Sequence, residues 1–164
     1  MSSILKVDTI QTTAGAAPTT KDLGFAAGSV IQYAQTETGT ATTISASSAV
    51  ILLTINFTPK LTNSLIRISY CFQNLRKTTG AGTSTWFQPQ VYLDSTLQGN
   101  INGTMGYPET FADHRYTFSG EGQVSAWSGA KDIKLRGYVG SSGSTWVVSY
   151  QGATTNMTIM EIAQ

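Results

Sequence analysis

The sequence predicts an all-β protein, an antiparallel β-sandwich of the jelly-roll kind preceded by an extended N-terminal arm. Only 12% of the residues are charged, and Thr, Ser, Gly, Asn and Gln supply the remaining polar surface. These residues suit solvent-facing strands and turns better than helix surfaces. Short apolar or alternating segments recur about every 8 to 14 residues between turn residues, a spacing typical of sandwiches and jelly rolls. No pattern of three helical turns is present.

Residues 1–27 are predicted to be the arm, because they are thinner in apolar residues than the rest of the chain and contain a run of small residues over 12–20. An extended segment of this kind can add as a strand to the sheet edge of another protein. We expect it to dock through its aliphatic side chains, which are Ile4, Leu5, Val7 and Ile10. The alternative is an N-terminus with no partner.

Residues 28–164 are predicted to form the sandwich head, whose first strand is Ser29–Gln35. The near-continuous apolar run Ala49–Phe57 predicts a central strand, which Pro59 ends. Segment Ser64–Phe72 alternates strictly. One face is apolar and predicted to be core (Ile66, Ile68, Tyr70 and Phe72), whereas Cys71 lies on the other face as a small filler.

The second half of the chain predicts a turn over 77–85, followed by a strand at Trp86–Asp94. Pro89 lies inside that strand and therefore predicts a sheet edge or a bulge. Residues 95–115 are polar and irregular in pattern. Four further strand candidates follow within 116–127, 131–139, 144–152 and 156–163.

Several classes of function find no support in the composition. The net charge of +1 without a basic block argues against a nucleic-acid groove, and no apolar run approaches the length needed for membrane insertion. A single cysteine and a single histidine make an internal disulfide or a zinc site improbable, so no metal or cofactor is expected. His114 has no nucleophile pattern near it, and no spacing favours the carboxylates Glu109, Asp113 and Glu121 as a catalytic pair. An enzyme is not expected.

The segment Gly99–Arg115 is the candidate working surface, because it mixes aromatic, amide and charged side chains on a predicted long loop. Sugar recognition uses such sets, with aromatic faces for the rings and polar groups for the hydroxyls. The candidate receptor contacts are Trp86, Tyr107, Phe111, His114 and Arg115. The alternative is that these aromatics only anchor a long loop to the sandwich.

Four stretches of the chain resemble known proteins: SILKVDTIQTTAGAAPTTKDLGF, GSVIQ, INFTPKLTNSLIRISY and MTIMEIAQ. The first resembles the opening of tail-fibre proteins of tailed bacteriophages that infect aquatic bacteria. The others resemble a jelly-roll head similar in outline to C1q and tumour-necrosis-factor-like domains. The resemblance covers both ends of the chain and residues 28–72, and nothing matches from about 78 to 130.

The resemblance implies a homotrimeric virion protein, made in the bacterial host cytoplasm. Aromatic residues could fill the trimer axis or belong to each domain's own core; they are Tyr33, Phe57, Trp146 and Tyr150. The expected function is that of a tail-fibre subunit, which docks on other virion proteins through residues 1–27 and contacts a host surface glycan or protein with its head. The alternative is a capsid decoration (cement) protein.

Overall fold

The structure is a computed structural model that describes residues 26–45, 49–79, 85–99, 101, 105–107, 115–140 and 145–164. The predicted arm lies outside these residues except for its last two positions. The anchors Ile4, Leu5, Val7 and Ile10, and the boundary after residue 27, therefore stay predictions.

The described residues form strands and one short 3₁₀ turn, Tyr150–Gly152. In chain order, the strands are β1 (Val30–Thr38), β2 (Thr42–Ser45), β3 (Val50–Phe57), β4 (Leu65–Thr79), β5 (Thr85–Leu93), β6 (Thr96–Leu97), β7 (Met105–Tyr107), β8 (Arg115–Ser125), β9 (Lys131–Val139), β10 (Thr145–Val148) and β11 (Thr155–Ile162).

The strands pair into two antiparallel sheets. The first sheet has the order β1-β11-β4-β10-β2, with β8 also on β4, and the second has the order β3-β9-β5-β6, with β7 also on β5. Sequential strands repeatedly change sheet: β3 lies in the second, β4 in the first, β5 in the second, β8 in the first and β9 in the second. This two-sheet arrangement is that of a jelly-roll-like sandwich, so the predicted fold class is confirmed.

The core lies between the sheets and is built by alternation along each strand. In β4 the side chains of Ile66, Ile68, Tyr70 and Phe72 are buried, as the alternation predicts. Cys71 lies on the opposite, partly exposed face. The inward residues of β3, β5, β9, β10 and β11 complete one continuous apolar cluster.

Strand β3 is an edge strand, so the prediction of a central strand is wrong. It pairs only with β9 among the described strands. Its apolar run conceals an alternation, in which Leu53, Ile55 and Phe57 are buried whereas Ile51 is 50% exposed. A register shift between Ile51 and Leu53 accompanies this change of face.

Strand β4 continues through Thr79, so the turn predicted to start at residue 77 begins too early. Lys77 is buried opposite Trp146 of β10. Pro89 lies opposite Gly137 of β9. On the other side of β5, residues 85–87 pair with β7 and residues 92–93 pair with β6, so Pro89 lies between the two paired stretches. Strand β5 is therefore interior in sheet order, yet its proline occupies a gap in the ladder.

Two other expectations are changed by the structure. The stretch 95–115 was expected to be irregular but contributes β6 and β7. Of the four aromatics considered for a trimer axis, Phe57 and Trp146 belong to the domain's own core, whereas Tyr33 is 57% exposed. Tyr150 is half-buried in the 3₁₀ turn.

The register gives the sandwich two distinct ends. At one end, here called the base, Val30 pairs with Ile162, which pairs with Leu65. At the other end, the tip, Arg76 pairs with Arg115 of β8 and with Val147 of β10. Arg76 lies eleven positions after Leu65 in β4, a distance of roughly 35 Å at the usual rise of a strand.

Candidate interaction surfaces

The head begins at the base, where its first residues are tied to the end of the chain. Gly28 donates its N–H to the Ala163 carbonyl at 2.9 Å, and Ala163 donates in return to the Ser29 carbonyl at 2.9 Å. These bonds extend the β1–β11 ladder beyond Val30. The point at which residues 1–27 join the head is thus held at the base.

Two residues of the candidate receptor segment, Tyr107 and Arg115, lie at the tip. Tyr107 ends β7 and pairs with Thr85, and Arg115 begins β8 opposite Arg76. Phe87, two residues beyond Thr85, has its ring 5.8 Å from that of Trp146 in the tip strand β10. Phe111 and His114 lie outside the described residues, so their role as receptor contacts stays a prediction.

Trp86 lies on the outer face of the second sheet. Its ring centre is 5.4 Å from that of Tyr138 on β9. A Cβ atom on Gly140 would lie 1.8 Å from the indole, so only glycine leaves room for the ring over the end of β9. The Gly140 N–H donates to the Trp86 carbonyl at 3.2 Å, which keeps the two strands together at this point.

Arg115 lies on the first sheet, away from Trp86. Its guanidinium carbon is 5.2 Å from the centre of the Tyr150 ring, and its Nη1 donates to Gln151 Oε1 at 3.0 Å. The Arg76 guanidinium contacts the same ring at 4.2 Å. Trp86 and Arg115, which the sequence predicts together as receptor contacts, thus lie on different sheets and contact different neighbours.

The outer face of the first sheet presents in-register rows of side chains across four strands. One row is Tyr33, Met160, Arg67 and Gln123, and the next is Gln35, Thr158, Ser69 and Glu121. Arg67 forms an ion pair with Glu121, and Tyr33 donates to Gln35. Val30 is also exposed, so the basal part of this face, with Tyr33, Met160 and Leu65, is mainly apolar.

The outer face of the second sheet has a different chemistry. Strand β5 contributes Trp86, Gln88, Gln90 and Tyr92, and the partners of the last three on β9 are Tyr138, Arg136 and Lys134. The two outermost apolar side chains of this face are Ile51 on β3 and Leu97 on β6, which are 50% and 43% exposed. Aromatic rings and amides thus share one outer surface.

Glu161 is a buried carboxylate that the sequence analysis did not single out. It accepts hydrogen bonds from the Lys60 and Leu61 N–H groups, from Ser64 Oγ at 2.5 Å and from Gln32 Nε2 at 2.7 Å. The signal was present in β11, where Thr155, Met157 and Ile159 are buried and the alternation places Glu161 on the same inward face. Its role is to hold the turn after β3 against β1 and β11 at the base.

In the part of the chain that the structure describes, no group of three or more His, Cys, Asp or Glu side chains could hold a metal ion. Among those same residues, no helix is long and apolar enough to cross a membrane.

Comparison with known proteins finds similarity only among solved structures. No family model matches the chain, and no curated protein matches it. The VP2 protein of infectious bursal disease virus in derived T=1 particles is 14% identical, with a TM-score of 0.44, over 82% of this chain and 37% of that one. The Gt strain of the same virus gives 13% identity and a TM-score of 0.44 over 83% and 39% of the two chains.

A third similar structure is dimeric latent PorU from Porphyromonas gingivalis, with 10% identity and a TM-score of 0.42. The match covers 93% of this chain and 14% of that one. The chain therefore spans well under half the length of each of these proteins. At such identities and scores, the likeness says nothing about what the chain binds.

Proposed function

We propose that the protein is a virion structural protein, a tail-fibre subunit that docks on the tail through residues 1–27 and contacts the host surface with its head. The observation that carries this proposal is the opposition of the two ends of the sandwich. Residues 1–27 join the head at the base, beside Ile162, whereas Tyr107 and Arg115 lie at the tip. Docking and recognition can therefore occur at the same time, separated by the length of the head.

The proposal includes a homotrimer that packs through the outer face of the first sheet. Val30 and Tyr33 are exposed there, beside Met160 and Leu65 in the adjacent strands. A monomer leaves this surface in water, and association would cover it. Three linked heads would bind a repeated surface ligand with avidity, so that individually weak contacts suffice. The mechanism is binding, with no catalytic step.

Immunogold labelling of intact particles with an antibody against the head tests this function. Label at the tail is the expected result. Label spread over the capsid would replace the fibre with a decoration protein, whose arm clamps neighbouring capsomers and whose head only covers the shell. Particles that carry no label, while the same antibody detects the purified protein, would contradict any role in the virion.

A further inference from the structure

Three aromatic side chains lie on the outer surface of strands β5 and β9, two of them on β5 and one on β9. We call this surface the β5–β9 face and define it by Trp86, Gln88, Gln90, Tyr92, Arg136 and Tyr138. Trp86 and Tyr138 are in contact near the tip, and Tyr92 lies six residues along β5 from Trp86. That separation is about 20 Å at the rise of a strand, long enough for an oligosaccharide chain.

Amide side chains lie between the rings. Gln88 is the cross-strand partner of Tyr138, and Gln90 is the partner of Arg136. Gln90 Nε2 donates to Gln88 Oε1 at 3.1 Å, which orients both amides along the strand and leaves further donors and acceptors for a ligand. Rings that cover apolar sugar faces, with fixed amides for the hydroxyls, are the elements of a saccharide site.

Arg136 gives this face an uncompensated positive charge. Its guanidinium carbon lies 4.1 Å from the centre of the Tyr92 ring, a cation–π contact that positions the side chain over that ring. Its Nε is buried and has no hydrogen-bond acceptor, and no carboxylate pairs with it among the described residues. A carboxylate from a ligand would have to meet the terminal nitrogens of this guanidinium, which can bind it with two parallel hydrogen bonds.

The other charges on this face are already paired. Lys134 Nζ lies 3.6 Å from Asp132 Oδ2, and Asp132 Oδ1 accepts from Asn56 Nδ2 at 3.0 Å. Arg136 is therefore the residue that selects for an anionic ligand, whereas Lys134 and Asp132 bind each other. This charge pattern favours an acidic saccharide over a neutral one.

We propose that the β5–β9 face binds a polysaccharide chain that carries carboxylate groups, with Arg136 on a carboxylate, Trp86 and Tyr138 against the sugar rings, and Tyr92 supporting the Arg136 guanidinium. The inference rests on the proposed function, because it names the class of host-surface ligand that the head would contact. The face lies on the sheet opposite the proposed trimer surface, so a trimer leaves it accessible.

Titration calorimetry of the full-length protein tests this inference, with three probes of matched length. These are an oligogalacturonate, a neutral malto-oligosaccharide and a poly-glutamate peptide. We expect the wild-type protein to bind the oligogalacturonate at least tenfold more tightly than either of the others. Arg136→Gln should lower that affinity about tenfold, and Arg136→Lys should restore only part of it, because lysine keeps the charge without the planar fork.

The control is Lys60→Gln, which removes a positive charge from the exposed turn after β3, outside both proposed binding surfaces. It should leave oligogalacturonate binding unchanged. Gln90→Ala provides a second variant on the β5–β9 face should Arg136→Gln fail to fold, and we expect it to weaken binding about threefold. Thermal unfolding of each variant reports whether the head is intact.

Three results would overturn the inference. These are no binding of oligogalacturonate by the folded wild type, equal loss of binding in Arg136→Gln and Lys60→Gln, and equal affinity for poly-glutamate, which would indicate a site for acidic peptides. If the calorimetry shows no oligogalacturonate binding while immunogold label is at the tail, the proposed ligand class is refuted and the tail-fibre function is not. Oligogalacturonate binding without label on particles would refute the fibre and keep the site.

Discussion

The buried carboxylate of Glu161 accepts a hydrogen bond of 2.8 Å from the backbone N–H of Leu61, which lies 100 residues earlier in the chain. The Lys60 N–H binds the same carboxylate at 2.9 Å. The turn between β3 and β4 is thus anchored to β11 through one side chain. Because Gln32 of β1 also donates to Glu161, the base of the head is assembled around this group.

Glu161→Gln should destabilise the head by about 2 kcal/mol, because the new amide brings donors against N–H groups that need an acceptor. Urea unfolding followed by circular dichroism measures the change. The control is Glu121→Gln, since the Glu121 side chain is 58% exposed and its pairing with Arg67 should contribute less than about 1 kcal/mol. Equal losses in the two variants would contradict the assignment of Glu161 as the anchor.

Gly137→Ala should cost about 1–3 kcal/mol, because a Cβ there would lie 2.3 Å from Ile44 Cδ1 and 2.9 Å from a ring atom of Phe87. The control is Gly99→Ala, since nothing lies within 4 Å of a Cβ at Gly99. Ile44→Val removes the nearer clashing atom. Combining it with Gly137→Ala should therefore cost less than the sum of the single changes, by about 0.5 kcal/mol or more. Strict additivity would show that the two sites do not contact each other.

Met160→Glu should convert the proposed trimer to a monomer at micromolar concentration without unfolding the head. The side chain lies between Tyr33 and Arg67 on the outer face of the first sheet, where association would bury the new carboxylate. A second contact with Arg67, which already pairs with Glu121, would not repay that desolvation cost. Analytical ultracentrifugation gives the mass. Thr54→Glu, on an exposed position of β3 in the other sheet, should remain trimeric. A monomeric wild type would contradict the trimer itself.

Val7→Asp combined with Ile10→Asp should release the protein from particles while the head stays folded. Two charges among the predicted arm anchors would prevent their burial against a partner protein. Quantitative immunoblotting of purified particles measures the complement that remains. Thr13→Asp, in the small-residue run of the same arm, is the control and should have a much smaller effect. Particles that keep a full complement of the double variant would refute docking through these side chains.

Local patterns predicted most of the strands and much of the core. The alternation of Ile66, Ile68, Tyr70 and Phe72 identified the inward face of β4 correctly, because side chains alternate along any strand. Along β11 the same rule places Glu161 on the inward face, as a buried carboxylate. The place of a strand within its sheet was harder to predict. The apolar run of β3 predicts a strand at the centre of a sheet. Strand β3 instead lies at the edge of its sheet, and the register shift after Ile51 turns part of the run toward solvent.

Local patterns suffice to predict antiparallel strands with one apolar face each, since period-two alternation and turn residues act over a few neighbours. They do not predict that Trp86 contacts Tyr138 on one sheet, whereas Arg115, on the other sheet, contacts Tyr150. Long-range pairing also places the first strand's start at the base, where Gly28 binds Ala163, opposite the tip. Those relationships depend on pairing between segments far apart in the chain, and no local pattern encodes which strands become neighbours.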